Sequence, residues 1–331
     1  MKIGILFDTP EDYPLIEGPQ DRFAEFEPES TIQTLEDAIR HAGHQPIRLG
    51  APHRLLDTFP AVDLIWNIAE GYGSRNRESW GPVLAELQHI PCLGSDGLTL
   101  SLSLDKHRTK QMAQALGIPT APWKVLKTTE QLAEVPSDWY PVFMKPRYEG
   151  TAKGISAQNR CDSPQAALAM MQQLLHNYEQ DVLVEPYLPG AEYTVALLGY
   201  PLQVYPVLER ALHGPTGIGI HAVSAHDPQA EHQAVTHGAI PSGYEELLKQ
   251  WSVRLCEEME VRHFARLDFK CDAMGNAQFL EINPLPTFAI DNTFAILAEI
   301  EGDTLPRFLG SALHRILEAD PSVLKLHLPH R

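Results

Sequence analysis

The chain has 331 residues, enough for two or three domains each with its own core, and its 44% hydrophobic and 21% charged residues are those of an ordinary globular protein. A net charge of −17 argues against a non-specific nucleic-acid binder, whose basic residues must neutralise phosphates, and no apolar run is long enough to span a bilayer. No signal segment opens the chain, and the four cysteines, Cys92, Cys161, Cys256 and Cys271, lack CxxC spacing, so the expectation is a protein of the reducing cytoplasm without membrane or nucleic-acid partners.

Residues 2 to 7 read as an apolar strand, and Ser30-Thr31 as the cap of an amphipathic helix that runs to Ala42 and stops at Gly43. Val62 to Asn67 is a second buried strand, followed by a glycine-bearing loop at Glu70 to Gly73 and a helix from about Pro82 to His89. This alternation predicts a parallel sheet up to about residue 98, with ligands at the carboxyl ends of its strands, near Ala69 to Glu78. Ser101 to Leu116 has helical period and ends at Gly117. Then come a strand at Val142 to Pro146, a loop from Glu149 to Gly154 and a helix over 162–178, a βα piece with the look of a small second domain. From Val182 the pattern becomes antiparallel strands, followed by a helix from Tyr244 to Glu260. Between Leu212 and Gly243 a loop-like stretch carries His213, His221, His226, His232 and His237. No paired ligand spacing supports zinc there, and a mobile loop over a site is the preferred reading.

Phe264 to Asn283 reads as a β-hairpin. Side chains alternate faces along a strand, so Arg266 and Asp268 share one face, as do Glu281 and Asn283. A two-residue loop at Met274-Gly275 sets Asp268 opposite Glu281 and Arg266 opposite Asn283, all on one surface. Two carboxylates and an amide suit a hard cation such as Mg²⁺, usually with a nucleoside triphosphate beyond it. The alternative is a solvated face of paired charges on an edge hairpin. There is no GxxxxGK[ST] loop, no GxGxxG and no GxSxG elbow, so a triphosphate would be held by separated lysines. Lys106 and Lys145 are the candidates, the latter at a strand end beside the glycine-containing loop at 149–154, whose N–H groups can point at phosphate oxygens.

Five pieces in order, Leu104-Asp105-Lys106, Val142 to Thr151, Val184 to Glu192, Arg266-Leu267-Asp268 and Glu281 to Pro284, resemble the ATP-grasp superfamily and within it the D-alanine-D-alanine ligase family. The likeness runs from about residue 64 to 292, clearest locally at Ile90 to Ser95 and Ser103 to Lys110. It implies an α/β (α+β) ATP-grasp fold: an N-terminal Rossmann-like parallel-sheet substrate domain over 1–98, a central lid over 99–182 and a C-terminal antiparallel-sheet catalytic subdomain over 183–331. It implies that Lys106 and Lys145 contact ATP phosphates, Glu185 and Leu188 the adenine and Glu192 the ribose. Asp268, Glu281 and Asn283 would hold two Mg²⁺ ions, for which Mn²⁺ can substitute. Arg266, with Lys145 and Thr151, would serve the chemistry, the guanidinium facing the oxyanion of a tetrahedral intermediate. The activity implied is ligation of a carboxylate to an amine through an acyl phosphate, on small amino-acid-like substrates, in a homodimer. The competing readings are a nucleotide-binding regulator without turnover and an ATP-grasp ligase or kinase of a non-amino-acid metabolite.

The resemblance thins on the substrate side. Glu29 is favoured over Glu27 as the first-substrate carboxylate. The family's HGxxGEDG loop is replaced by Asn67 to Glu78, which brings Arg75 and Arg77 beside Glu78, a residue the resemblance implies contacts substrate together with Arg266, Thr287 and Asn292. Thr287 falls where the family has glycine, Asn292 near its serine, and the lysine-tyrosine pair of the mobile loop is missing. These departures predict that D-alanine is not the best acceptor and that the arginines favour a substrate with an extra anionic or carbonyl group.

Overall fold

A computed structural model of the chain describes all residues except 14–17, 57–58, 211, 213–234, 237–239, 241 and 325–331. The five histidines of the 212–243 stretch, and the mobile loop expected there, lie outside the described residues.

Four parallel strands, β1 (Lys2–Leu6), β2 (Gln45–Gly50), β3 (Leu64–Asn67) and β4 (Cys92–Leu93), form a sheet in the order β2-β1-β3-β4. The expected parallel sheet is present, but β2 was not anticipated. It is an edge strand carrying Pro46 and Arg48, and such residues hide the apolar pattern of a strand. Helix α1 (Glu29–His41) begins at Glu29 after Pro28, which makes no side-chain cap. Ser30 and Thr31 therefore lie inside its first turn rather than capping it. Its apolar stripe, Ile32, Leu35 and Ile39, packs with Phe308, Leu309 and Leu313 of the C-terminal helix Leu305–Ala319. α2 (Trp80–Leu87) follows the glycine-bearing loop.

The single helix expected over 101–116 is two, α3 (Gly97–Leu104) and α4 (Lys106–Ala115), broken at Asp105. Asp105 leaves helical geometry to accept hydrogen bonds from the His107 and Arg108 N–H groups, which ends one helix and starts the next. The middle sheet is antiparallel, β5 (Lys124–Leu126), β6 (Val142–Pro146), β7 (Arg160–Cys161) and β8 (Val182–Pro186), ordered β5-β8-β6-β7, with α5 (Pro164–Tyr178) in the same core. Because β8 pairs with β5 and β6, the division expected after residue 182 runs through a strand of this sheet.

The third sheet comprises β9 (Glu192–Gly199), β10 (Gln203–Val204), β11 (Leu208–Arg210), β12 (Val235–Thr236), β13 (His263–Cys271) and β14 (Ala277–Asn283), with central order β11-β9-β13-β14. Ala265, Leu267, Phe269 and Cys271 point from β13 into a core shared with Leu248, Leu255 and Cys256 of helix Ser242–Glu258. The opposite face of β13 presents Arg266, Asp268 and Lys270.

The hairpin pairs as expected, Arg266 with Asn283 and Asp268 with Glu281, but by a different route. Ladder pairing ends at Cys271 and Ala277, so the connection is longer than two residues. Asp272 organises it by accepting from the Met274 and Asn276 N–H groups. A register shift beyond Asp268 then leaves Leu280 as an extra residue, which cancels the longer turn.

Candidate active site

Two contiguous cavities meet between the three sheets. The first is bounded by Lys145, Glu185, Leu188, Glu192, Asp268 and Leu280, the second by Glu27, Glu78, Thr151, Arg266, Asn283 and Thr287. Lys106, Gly150 and Glu281 line both. Leu280 and Glu281 are consecutive yet face the same cavity, which an unbroken strand forbids and the bulge allows.

Each charged side chain is set by local structure. Lys106 opens α4 behind Asp105, whose carboxylate receives Nε and Nη2 of Arg147 at 2.7 Å each. The Lys106 ammonium donates to the Glu149 carbonyl and lies 3.5 Å from Glu281. Lys145, at the end of β6, is 2.8 Å from one Glu185 oxygen, while Lys110 takes the other at 2.7 Å. Burial pushes the Glu185 pKa up, but the two lysines overcome it and bring it to about 2. The same carboxylate, with Glu281, holds Lys145 above its ordinary value against burial. Glu192 is 3.3 Å from Lys270, and Arg210 lies 3.6 Å from Asp268. Arg266 donates from Nε to Asp268 at 3.1 Å.

Asp268, Glu281 and Asn283 thus offer two carboxylates and an amide on one surface, and the Asn283 Nδ2 is buried without a hydrogen-bond partner among the described residues. An all-oxygen donor set ringed by lysines and an arginine fits a divalent cation with a phosphorylated ligand.

On the substrate side the placement differs from expectation. Glu29 is exposed and paired with Arg48 at 2.6 Å, away from the cavity, whereas Glu27 lines it beside Thr287 and Thr31. The preference for Glu29 is therefore reversed, because Glu29 belongs to the first turn of α1 and that turn faces β2. Thr287 and Thr151 line the cavity, the latter with left-handed backbone (φ 45°). Asn292 instead caps the helix Thr293–Ile300, accepting from the Thr293 N–H at 2.8 Å, and is not among the lining residues. The arginines do not face this cavity either. Arg77 is buried against Glu25 at 2.6 Å and donates to the Tyr148 carbonyl, and Arg75 lies over the Tyr148 ring. The ground for an anionic substrate group is thereby removed.

Lys110, Glu25, Glu70, Lys153 and Lys270 were not identified from the sequence. Glu25 accepts from Gly150 N at 2.7 Å and Lys153 at 2.9 Å as well as Arg77, and these cations overcome its burial to bring its pKa to about 2. Such pairings join positions 52 to 128 residues apart, and no local pattern announces them.

The pattern described as D-ala D-ala ligase C-terminus matches residues 112–313. The D-alanine--D-alanine ligase of Stutzerimonas stutzeri is 31% identical over 290 residues, spanning 85% of this chain and 87% of that protein. The uncharacterized protein y4sG of Sinorhizobium fredii is 27% identical over 325 residues, 93% of this chain and 91% of that protein. Among solved structures, the D-alanine--D-alanine ligase of Bacillus anthracis complexed with ATP superposes with a TM-score of 0.70 at 16% identity, over 96% of this chain and 98% of that one. The VanG D-Ala:D-Ser ligase of Enterococcus faecalis gives 0.69 at 17% identity, over 99% of both. These two likenesses show the fold, which is that of ATP-grasp enzymes. The family match across 112–313 and the 31% identity over most of the length show that the chain belongs to the D-alanine-D-alanine ligase family.

Proposed function

We propose that the protein is an ATP-dependent ligase that joins the carboxylate of one amino-acid-like substrate to the amine of another through an acyl phosphate. The observation that carries this reading is the sharing of Lys106, Gly150 and Glu281 by both cavities. A phosphoryl group at the metal-binding carboxylates is then within reach of a carboxylate in the neighbouring cavity, and positioning of this kind supplies much of a phosphoryl-transfer barrier reduction.

In this reading Lys106 and Lys145 neutralise phosphate charge, Glu185 and Leu188 border the adenine, and Glu192 binds the ribose. Asp268, Glu281 and Asn283 hold two Mg²⁺ ions, with Mn²⁺ able to replace them. Those ions, when bound, draw charge from the phosphate oxygens. The substrate carboxylate attacks the γ-phosphorus with release of ADP, and the amine then attacks the acyl carbon and expels phosphate. Arg266 faces the oxyanion of that second step, Thr151 lines the cavity beside it, and Glu27 rather than Glu29 takes the first-substrate role. Four free cysteines support a cytoplasmic enzyme.

The test is Glu281→Gln. It removes one negative charge from the group that must hold both cations, so phosphate release with Mg-ATP and pooled amino acids should fall at least a hundredfold while circular dichroism and the Tm stay at wild-type values. Wild-type turnover in this variant overturns the assignment.

A further inference from the structure

The substrate cavity is walled by more carboxyl groups than one ammonium group can satisfy. Glu25 lies at its edge, but that carboxylate is spent: one oxygen takes Arg77 and Gly150 N at 2.6 and 2.7 Å, the other Lys153 at 2.9 Å. Glu149, also beside Lys153, completes a cluster of two anions and two cations. Glu27, Glu70 and Glu78 remain. Glu78 is only 7% exposed, lines the cavity, and has neither hydrogen-bond nor ion-pair partner among the described residues. Glu70 likewise has no hydrogen-bond or ion-pair partner among the described residues, and one of its carboxylate oxygens lies within 4.8 Å of one from Glu25 and one from Glu78. A buried carboxylate without a partner is costly, and a native site keeps such a group where a ligand will meet it.

We infer that Glu70 and Glu78 receive a second cationic nitrogen beyond the one that Glu27 can hold, so that the substrate in this cavity is a diamino acid, an acid with two protonated amines. This rests on the ligase reading and names the substrate class of the same cavity. The polarity runs the right way: Lys106 and Arg266 border the cavity where it adjoins Glu281 and suit a carboxylate, while the glutamates suit the ammonium groups. A metal ion at Glu25, Glu70 and Glu78 fits less well, because Glu25 already accepts from two cations and only two carboxylates are left to ligate. An ammonium group needs only acceptors at hydrogen-bond distance and can share them.

The test titrates 2,3-diaminopropionate, ornithine and lysine, each as both enantiomers, and alanine into the enzyme loaded with Mg²⁺ and a non-hydrolysable ATP analogue, by calorimetry, and repeats the series with ATP for phosphate release. The expected result is at least one diamino acid binding tenfold or more tightly than alanine, with that preference cut at least tenfold in Glu78→Gln and in Glu70→Gln. Alanine binding as tightly as every diamino acid, or a preference untouched by both substitutions, overturns the inference. So does a Mg²⁺ site, measured without nucleotide, that Glu78→Gln abolishes and no diamino acid displaces. Phosphate release with alanine alone would sink the diamino acid and keep the ligase. Diamino acid binding without phosphate release in any mixture would keep the inference and sink the ligase.

Discussion

Glu78 shows how a single buried group ties the proposed substrate site to stability. Burial, opposed by Arg77 and reinforced by Glu25, lifts its pKa from 4.5 to about 7. In the folded protein it therefore binds a proton over a range where the unfolded chain has lost it, so its contribution is fully present below pH 4.5 and is lost as pH rises through 7. Glu78→Gln removes this penalty. The variant and the wild type should melt together at pH 4.5, and at pH 8 the variant should be more stable by on the order of 1–3 kcal/mol, read as a higher Tm. Equal melting at pH 8 would mean that the carboxylate is already compensated. Lys145 gives a contrast between a buried and a partly exposed ammonium group. Lys145→Ala should raise the KM for ATP at least tenfold, whereas Lys249→Ala, which disturbs only a helix-surface pair with Glu245, should leave it unchanged. Equal kinetics for the two variants would remove Lys145 from the phosphate site.

Within the hairpin, two departures from the simplest reading compensate each other. The turn is longer than Met274-Gly275, the bulge at Leu280 absorbs the difference, and the four polar residues still pair as the alternation implies. The bulge had a signal: the core-facing series Ala277, Phe279 should continue at 281, yet the next core residue is Ile282. Deleting Leu280 should preserve the pairing of Asp268 with Glu281 but remove an apolar surface from the nucleotide cavity. ATP affinity should fall about tenfold, the order of magnitude for one buried aliphatic group; an unchanged Kd for ATP would assign Leu280 no part in binding. Strands with strong alternation, and the ordered lysines and acids along them, were thus legible. The break at Asp105 was obscured because both flanking segments are helical, although its cap is local, the carboxylate accepting from the His107 and Arg108 N–H groups. Edge strand β2 was hidden by its polar residues. The Glu25 cluster was invisible because its partners meet only in three dimensions, and Glu29 was mistaken for a lining residue because spacing alone does not say which way the first turn of a helix faces.

Across the whole molecule, His263 joins three segments. It begins β13 with left-handed backbone (φ 66°), its Nδ1 accepts from the Gly94 N–H at 2.9 Å, and its Nε2 is 2.7 Å from Asp320 beyond the C-terminal helix. Phe264 then presses on Gly94, where a Cβ would stand 2.8 Å from the ring. Since Nδ1 accepts, the ring is neutral and Nε2 donates to an ionised Asp320. Burial holds the imidazole below 6.5, and for Asp320 the bonds to His263 and Ser322 overcome burial and bring its carboxyl to about 2. Both shifts are downward, so the stability they give is complete above pH 6.5, declines below it as the unfolded imidazole takes up a proton, and declines again between 3.8 and 2. His263→Ala should cost about 3 kcal/mol at pH 8 and less at pH 5, measured by denaturant melts; a pH-independent loss would show that packing alone is at stake. The segment before α1 has a wider reach. Glu25 holds Gly150 and Lys153, and Asp21 accepts from Gly154 N at 2.8 Å and from the Tyr178 hydroxyl. The substrate wall is thus fastened to the loop that borders the nucleotide. Glu149, Gly150 and Ala152 of this loop border the cavity proposed for the nucleotide, so a ligand seated there and one held at the wall act on the same hydrogen bonds. Free energy is a function of state. Whatever factor ATP applies to the affinity for the amino-acid substrate, that substrate must apply to the affinity for ATP, so a thermodynamic box of four dissociation constants should close with a coupling different from one, and Asp21→Asn with Tyr178→Phe should bring it toward one.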